Sequence, residues 1–156
     1  MAILMNLFKD IDMNKVKLEK FNKDDAKFIR DNFPTYFMDN SIDNIERIIE
    51  NWNQSLGFCI TYENHKVGII ALTEKQDNSL SWGSAIIKEY QGKGIATKAF
   101  ELIVLEAKKQ GYTKIISSCA KSNIASRNLH KKVGFDLIKE EINSAGNEMC
   151  RWEMNI

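Results

Sequence analysis

Residues 91–97 read Gln91-Gly92-Lys93-Gly94-Ile95-Ala96-Thr97, a glycine-rich junction between two regular elements. Before it, Leu80–Lys88 reads as a strand. After it, Gly94–Gln110 places Ile95, Ala96, Ala99, Phe100, Ile103, Val104 and Ala107 on one helical face. Lys108 and Lys109 suit the negative end of that helix, and Gly111 suits its left-handed cap. Small residues at 92, 94 and 96 let a ligand approach the backbone closely. The unbonded N–H groups of a first helical turn carry a dipole equivalent to about half a positive charge, which suits a phosphate. No glycine here completes a G-x-x-x-x-G-K-[ST] loop. The G-x-G-x-x-G/A dinucleotide fingerprint fails at Thr97, and no acidic residue follows at the required distance, where Ala120-Lys121 stands.

On either side the chain alternates between two periodicities. Lys15–Phe21 alternates as a strand, and Asn22 is a helix cap with Asp24 and Asp25 in the first turn. That helix runs through Phe28 and Ile29 and stops before Phe33-Pro34, because proline disfavours helical backbone at the residue before it. Ser41 caps a second helix with Ile42, Ile45, Ile48, Ile49 and Trp52 at helical spacing. Phe58–Tyr62, a turn at Glu63–His65, Lys66–Thr73, a turn at Gln76–Asn78 and Leu80–Lys88 form a β meander. Beyond the long helix, Lys114–Ala120 is a strand. Asn123 opens a helix with Ala125, Leu129 and Val133 inward, closed by Gly134. Phe135–Ile142 and Met149–Met154 form a hairpin around Asn143–Gly146. The order β-α-α-β-β-β-α-β-α-β-β predicts a mixed α/β sheet, and ligands bind such sheets where strand ends meet helix crossovers.

Composition sets the outer bounds. The 156 residues, with no repeat or linker, predict a single domain over 1–156 that buries roughly two-thirds of its unfolded surface. Twenty-two basic against twenty-one acidic side chains argue against a nucleic-acid binder. Cys59, Cys119 and Cys150 are odd in number and form no C-x-x-C pair, so neither a disulfide framework nor a zinc site is expected. Met1–Phe8 has no basic flank and runs into Lys9, Asp10 and Asp12; it reads as a terminus that pairs at an edge or frays, rather than a signal or a membrane span. The expected compartment is the cytoplasm, with no membrane partner.

A second block completes a pattern. Asn123-x-x-Ser126-x-x-Leu129-His130-x-Lys132-x-Gly134-Phe135 follows the first at a fixed interval. Together with Gln91-x-x-Gly94-x-Ala96 it resembles the two motifs of the GNAT N-acetyltransferase superfamily, and the element order is similar to that fold. Asp25-Ala26 and the surroundings of Phe135 are closest to the ribosomal-protein N-acetyltransferase-like branch. The resemblance implies one mixed sheet of about six or seven strands flanked by about four helices. It implies acetyl-CoA as co-substrate, no metal, direct acetyl transfer to a primary amine (a peptide N-terminus or a small amine), and a homodimer. The alternative is a non-catalytic acyl-CoA-binding or regulatory module of the same fold.

The resemblance also distributes roles. Gln91, Gly92, Lys93, Gly94, Ile95, Ala96 and Thr97 are expected to hold the pyrophosphate, and Ile86 and Ile87 to offer backbone groups to the pantetheine arm. Either of their N–H groups is a candidate oxyanion donor. Asn123 is expected to cap its helix and bond the pantetheine amide. Where the family carries a tyrosine acid this chain has His130, whose ordinary pKa near 6.5 suits acid or base work; Ser126 is the other catalytic candidate. Lys88 stands where the family often has proline, and with Lys93 and Lys98 it can add charge near the phosphates. Glu74 and Glu89 are candidate bases, and Trp82 and Tyr90 candidate acceptor contacts, whereas Cys119 reads as core. The acceptor is expected between the first two helices (24–55) and the closing hairpin.

Overall fold

In a computed structural model the chain is described over residues 11–52 and 56–156, except for the Trp52 side chain. The expectation for Met1–Phe8 lies outside the described residues, as does Ser55. Eleven regular elements follow the order read from the sequence: β1 (Val16–Lys20), α1 (Asp25–Asn32), α2 (Ile42–Trp52), β2 (Leu56–Tyr62), β3 (His65–Glu74), β4 (Leu80–Ile86), α3 (Ile95–Lys109), β5 (Lys114–Ala120), α4 (Ile124–Val133), β6 (Asp136–Ile142) and β7 (Glu148–Asn155). Short 3-10 turns at Met13–Lys15 and Lys88–Tyr90 complete them.

Local chemistry sets the boundaries. Asn22 Oδ1 accepts the Asp24 N–H and the Asp25 carboxylate accepts the Asn22 N–H, both at 2.9 Å, so Asn22 organises the start of α1 from three residues upstream. Ser41 Oγ accepts the Asn44 N–H at 3.4 Å at the head of α2. The meander turn is two residues long. Glu63 and Asn64 both have positive φ, as a tight hairpin of this hand requires, and His65 already pairs with Tyr62 rather than belonging to the turn. Strand β4 stops at Ile86, two residues short of Lys88, because Lys88–Tyr90 closes a 3-10 turn with the Tyr90 N–H on the Ile87 carbonyl.

The strands form one seven-stranded sheet in the order β1-β2-β3-β4-β5-β7-β6. Every neighbouring pair is antiparallel except β4 and β5, the pair joined through α3. On one face, Ile29 of α1 and Ile45 and Ile49 of α2 pack on Cys59 and Ile69. On the other, Ile95, Phe100 and Ile103 of α3 pack with Leu72, Leu80, Ile115 and Trp152, and Leu129 and Val133 of α4 join them. The helix stripe read for α3 holds: Ile95, Ala99, Phe100, Ile103 and Ala107 are buried. That for α4 holds at Leu129 and Val133, which are half-buried against the core, and is corrected at Ala125, which is exposed; His130 is the fully buried residue of the helix.

Candidate active site at the parting of two strands

The parallel pair is short. Strands β4 and β5 are paired only at Leu80–Ile115 and Ser81–Ile116. Beyond those residues they part, and the gap opens a cleft of about 680 Å³ lined by β4, the 91–97 junction, β5 and α4.

Register fixes what β4 presents to that gap. The Lys75 N–H bonds the Ser79 carbonyl and the Ile87 N–H bonds the Val67 carbonyl, each at 2.9 Å, at the two ends of the β3–β4 pairing. Bonding alternates along an antiparallel pair, so the odd-numbered residues of β4 bond β3 and the even-numbered ones turn their amides the other way. Ser84 and Ile86 therefore offer backbone groups to the cleft. The Ile86 carbonyl accepts Gln91 Nε2 at 2.9 Å, which ties the junction to the strand. Ile87 does not share this task. Its N–H is taken by Val67 and its carbonyl by Tyr90, so of the two candidate oxyanion donors only Ile86 faces the gap.

At the far end of the cleft, Gly92 and Gly94 take φ of 72° and 85°, backbone that a side chain resists. Gly94 is the cap of α3, and the first N–H bonded within the helix is that of Lys98, to the Gly94 carbonyl at 3.1 Å. The N–H groups of Ile95, Ala96 and Thr97 thus have no partner within the helix. All three residues line the cleft with Gln91, Gly92 and Gly94; Lys93 lies between those glycines, half-buried. Lys98 sits 3.9 Å from Glu101, and Lys88 is exposed.

Helix α4 forms the opposite wall. Asn123 Oδ1 caps it by accepting the Ser126 N–H at 3.0 Å, so the capping half of its expected role is seen. Asn123→Ala is expected to cost about 1 kcal/mol and lower Tm by about 2–4 °C, read by calorimetry, whereas Asn123→Asp keeps the cap.

His130 lies 3% exposed between aromatic rings, stacked on Trp152 at 5.0 Å and flanked by Trp82 and Phe135. Its Nδ1 is 2.7 Å from the Ser126 carbonyl oxygen and its Nε2 is 2.7 Å from Ser117 Oγ. A carbonyl only accepts, so Nδ1 carries the ring proton and the neutral ring receives a hydrogen bond from Ser117 at Nε2. Burial holds the imidazole below its ordinary pKa, opposed by the hydrogen bond to Ser126. A neutral ring with its proton committed to Ser126 is set up to take a proton at Nε2 rather than to give one.

The same burial links to stability. The unfolded chain takes up a proton near pH 6.5 that the folded chain resists, so His130 stabilises the fold above that pH and the contribution is lost as pH falls below it. Tm is expected to fall between pH 7.5 and about 5.5. His130→Gln should flatten that slope in the same melting series.

Sequence reading missed several groups here. Ser117 is the polar member of an inward row, Ile115-Ser117-Cys119, in an otherwise apolar strand face. Trp82 and Tyr90, both read from the sequence as candidate acceptor contacts, do line the cleft, and the buried Trp82 Nε1–H has no acceptor among the described residues. Across β4, the Tyr36 hydroxyl fills the place a side chain would take at Gly83, 2.6 Å from that Cβ position; burial pushes the phenol up to about 12, so it stays a donor. A second recess of about 410 Å³, lined by Asp31, Asn32, Phe33 and Glu89, adjoins β4 and shares Ala85, Ile86 and Gln91 with the cleft.

Other expectations are placed differently. Glu74 pairs with Leu80 at the start of β4, the opposite end from the junction, so it does not face the site. Cys119 is buried core, its Sγ accepting Trp152 Nε1–H at 3.3 Å. Among the described residues no helix is long and apolar enough to cross a membrane, and no group of three or more His, Cys, Asp or Glu could hold a metal ion.

Comparison with known proteins agrees with this architecture. The chain is similar to a mutant of the spermidine N-acetyltransferase SpeG from Vibrio cholerae, at 17% identity and TM-score 0.79, over 91% of this chain and 94% of that one. It is similar to an N-acetyltransferase from Staphylococcus aureus Mu50, at 18% identity and TM-score 0.78, over 90% and 98%. A third structure, from Salmonella typhimurium, is an acetyl transferase that modifies the N-terminal serine of 50S ribosomal subunit protein L7/L12; it matches at 13% identity and TM-score 0.77, over 94% and 98%. No curated protein matches the sequence significantly. The acetyltransferase (GNAT) domain family matches residues 3–136, which takes in every element from β1 to α4 and both motifs. A sheet parted at β4 and β5, a glycine junction at its mouth and that match lead to one conclusion: the chain belongs to the GNAT acetyltransferase family.

Proposed function

We propose that the protein transfers an acetyl group from acetyl-CoA directly to a primary amine, a small amine or a peptide N-terminus. The carrying observation is the cleft itself, which runs from Ser117 and His130 to helix amides that have no partner within α3. Acetyl-CoA is the co-substrate: its thioester supplies the acetyl group and its thiol is the leaving group. The residues present fit it. The Ile95, Ala96 and Thr97 amides, shaped by Gly92 and Gly94 and joined by Gln91 and Lys93, suit the pyrophosphate. The Ser84 and Ile86 backbone and the Asn123 amide suit the pantetheine.

The acceptor enters from the recess under α1, which adjoins the cleft at Ala85, Ile86 and Gln91; its charged lining is mixed, with Glu89 beside Lys88 and Asp31 paired to Arg30 at 3.1 Å. The amine attacks as the neutral base, and the Ser84 N–H, the cleft-facing β4 amide nearer to Ser117, meets the charge that grows on the carbonyl oxygen. Incubation with acetyl-CoA and an amine panel that includes spermidine and a serine-initiated peptide, following thiol release, tests the reading. Turnover on one class supports it. Tight acetyl-CoA binding with no turnover would instead favour a non-catalytic acyl-CoA-binding module.

A further inference from the structure

Ser117 occupies a particular place in the parting of the sheet. Ile116 is the last residue of β5 paired to β4, so Ser117 is the first beyond the pairing and lies at the closed end of the cleft it lines. It is 8% exposed, between Ile115 and Cys119 on its face of the strand. Its hydroxyl hydrogen is committed to His130 Nε2 at 2.7 Å, because His130 Nδ1–H is itself committed to the Ser126 carbonyl. The lone pairs of Ser117 Oγ are left to accept. The ring behind it meets Trp82 from β4, Trp152 from β7 and Phe135, and among the described residues no charged side chain pairs with it. The chain carbonyl–His130–Ser117 thus ends in an acceptor oxygen at the closed end of the cleft, with room for one proton behind it.

We propose that Ser117 is a catalytic residue, passing a proton between the reacting groups and His130, which acts through it. The proposal rests on the reading that the cleft takes acetyl-CoA and an amine. As the amine nitrogen bonds the acetyl carbon, its excess proton moves to Ser117 Oγ, and the original Ser117 proton moves to His130 Nε2. The carbon–sulfur bond breaks with its electron pair on sulfur. His130 then returns a proton through Ser117 to that thiolate. One proton has moved from amine to thiol, and both side chains end as they began. A serine that only satisfies a buried histidine would make the same hydrogen bond but would leave the rate alone.

The test combines kinetics, binding and ring spectroscopy on the full chain. Ser117→Ala is expected to lower kcat about 100-fold, while the acetyl-CoA Kd changes by less than about threefold. Ser117→Thr, which keeps the hydroxyl, should retain most of the rate, and it keeps the proposal testable if the alanine variant fails to fold. The double variant with His130→Gln should be no slower than the slower single variant, since the two residues work as one unit. Nitrogen-15 NMR of the wild-type ring should show a protonated Nδ1 and a bare Nε2 that shifts in Ser117→Ala. An unchanged kcat in Ser117→Ala, or a proton found on Nε2, overturns the proposal. A wild-type protein that binds acetyl-CoA yet acetylates no amine overturns the relay but leaves the cofactor cleft standing. One that does not bind acetyl-CoA overturns both.

Discussion

Gly94→Val should weaken acetyl-CoA binding by about 10- to 100-fold while leaving the fold in place. Gly94 holds φ at 85°, and among the described residues a methyl group there would meet only Met13 Cε, at 3.2 Å, the tip of a flexible side chain. Space is therefore a minor issue and backbone strain the major one. A β-branched residue in left-handed backbone costs about 1–3 kcal/mol. The loop relieves that strain by moving out of the left-handed region, which turns the Ile95–Thr97 amides away from the cleft. Binding must then restore the strained geometry, and about 1.4 kcal/mol of that cost is a tenfold loss of affinity. Calorimetric titration reads the effect directly. Affinity equal to that of the wild type would remove the junction from the binding account.

Trp152→Ala should produce the largest loss of stability. Trp152 is 1% exposed, stacks on His130 at 5.0 Å and 19°, and donates Nε1–H to Cys119. Truncating a fully buried tryptophan costs about 3–5 kcal/mol. In a chain of this length each kcal/mol lowers Tm by about 2–4 °C, so a fall of about 6–20 °C is expected by scanning calorimetry. The same change removes one wall of the His130 cage, so turnover should fall in Trp152→Ala even below its new Tm. Trp152→Phe, which keeps a ring against His130, should recover most of the stability. A Tm within about 3 °C of the wild type would show that the cage contributes little to the fold.

Elements with their own local signals were readable from the chain. Gly94, Gly111 and Gly134 mark helix ends and all three adopt positive φ, and the seven-residue strand Lys114–Ala120 matches its reading end to end. What depends on pairing was not readable. Whether Ile86 or Ile87 faces the cleft is a matter of bonding parity along β4, which is fixed only once Lys75–Ser79 and Val67–Ile87 pair. Glu74 looked close to the junction because strand ends seem interchangeable in a sequence; antiparallel pairing sends it to the other end of the sheet.

Helix faces show the same limit. Spacing in α4 placed Leu129 and Val133 correctly but also allowed Ala125 to point inward; the aromatic cage formed by Trp82, Phe135 and Trp152 instead buries His130, which spacing did not single out. Ser117 carried a signal that could have been used, a hydroxyl within the inward row of an apolar strand. A buried polar side chain requires a partner, and the histidine of the second motif supplies it.

The most direct measurement is amide hydrogen exchange, resolved to single residues, with and without acetyl-CoA. The account predicts slowed exchange at Ile95, Ala96 and Thr97, together with Ser84 and Ile86, and no comparable change at the Glu74 end of β3. Unchanged exchange at residues 91–97 in protein saturated with acetyl-CoA would contradict it.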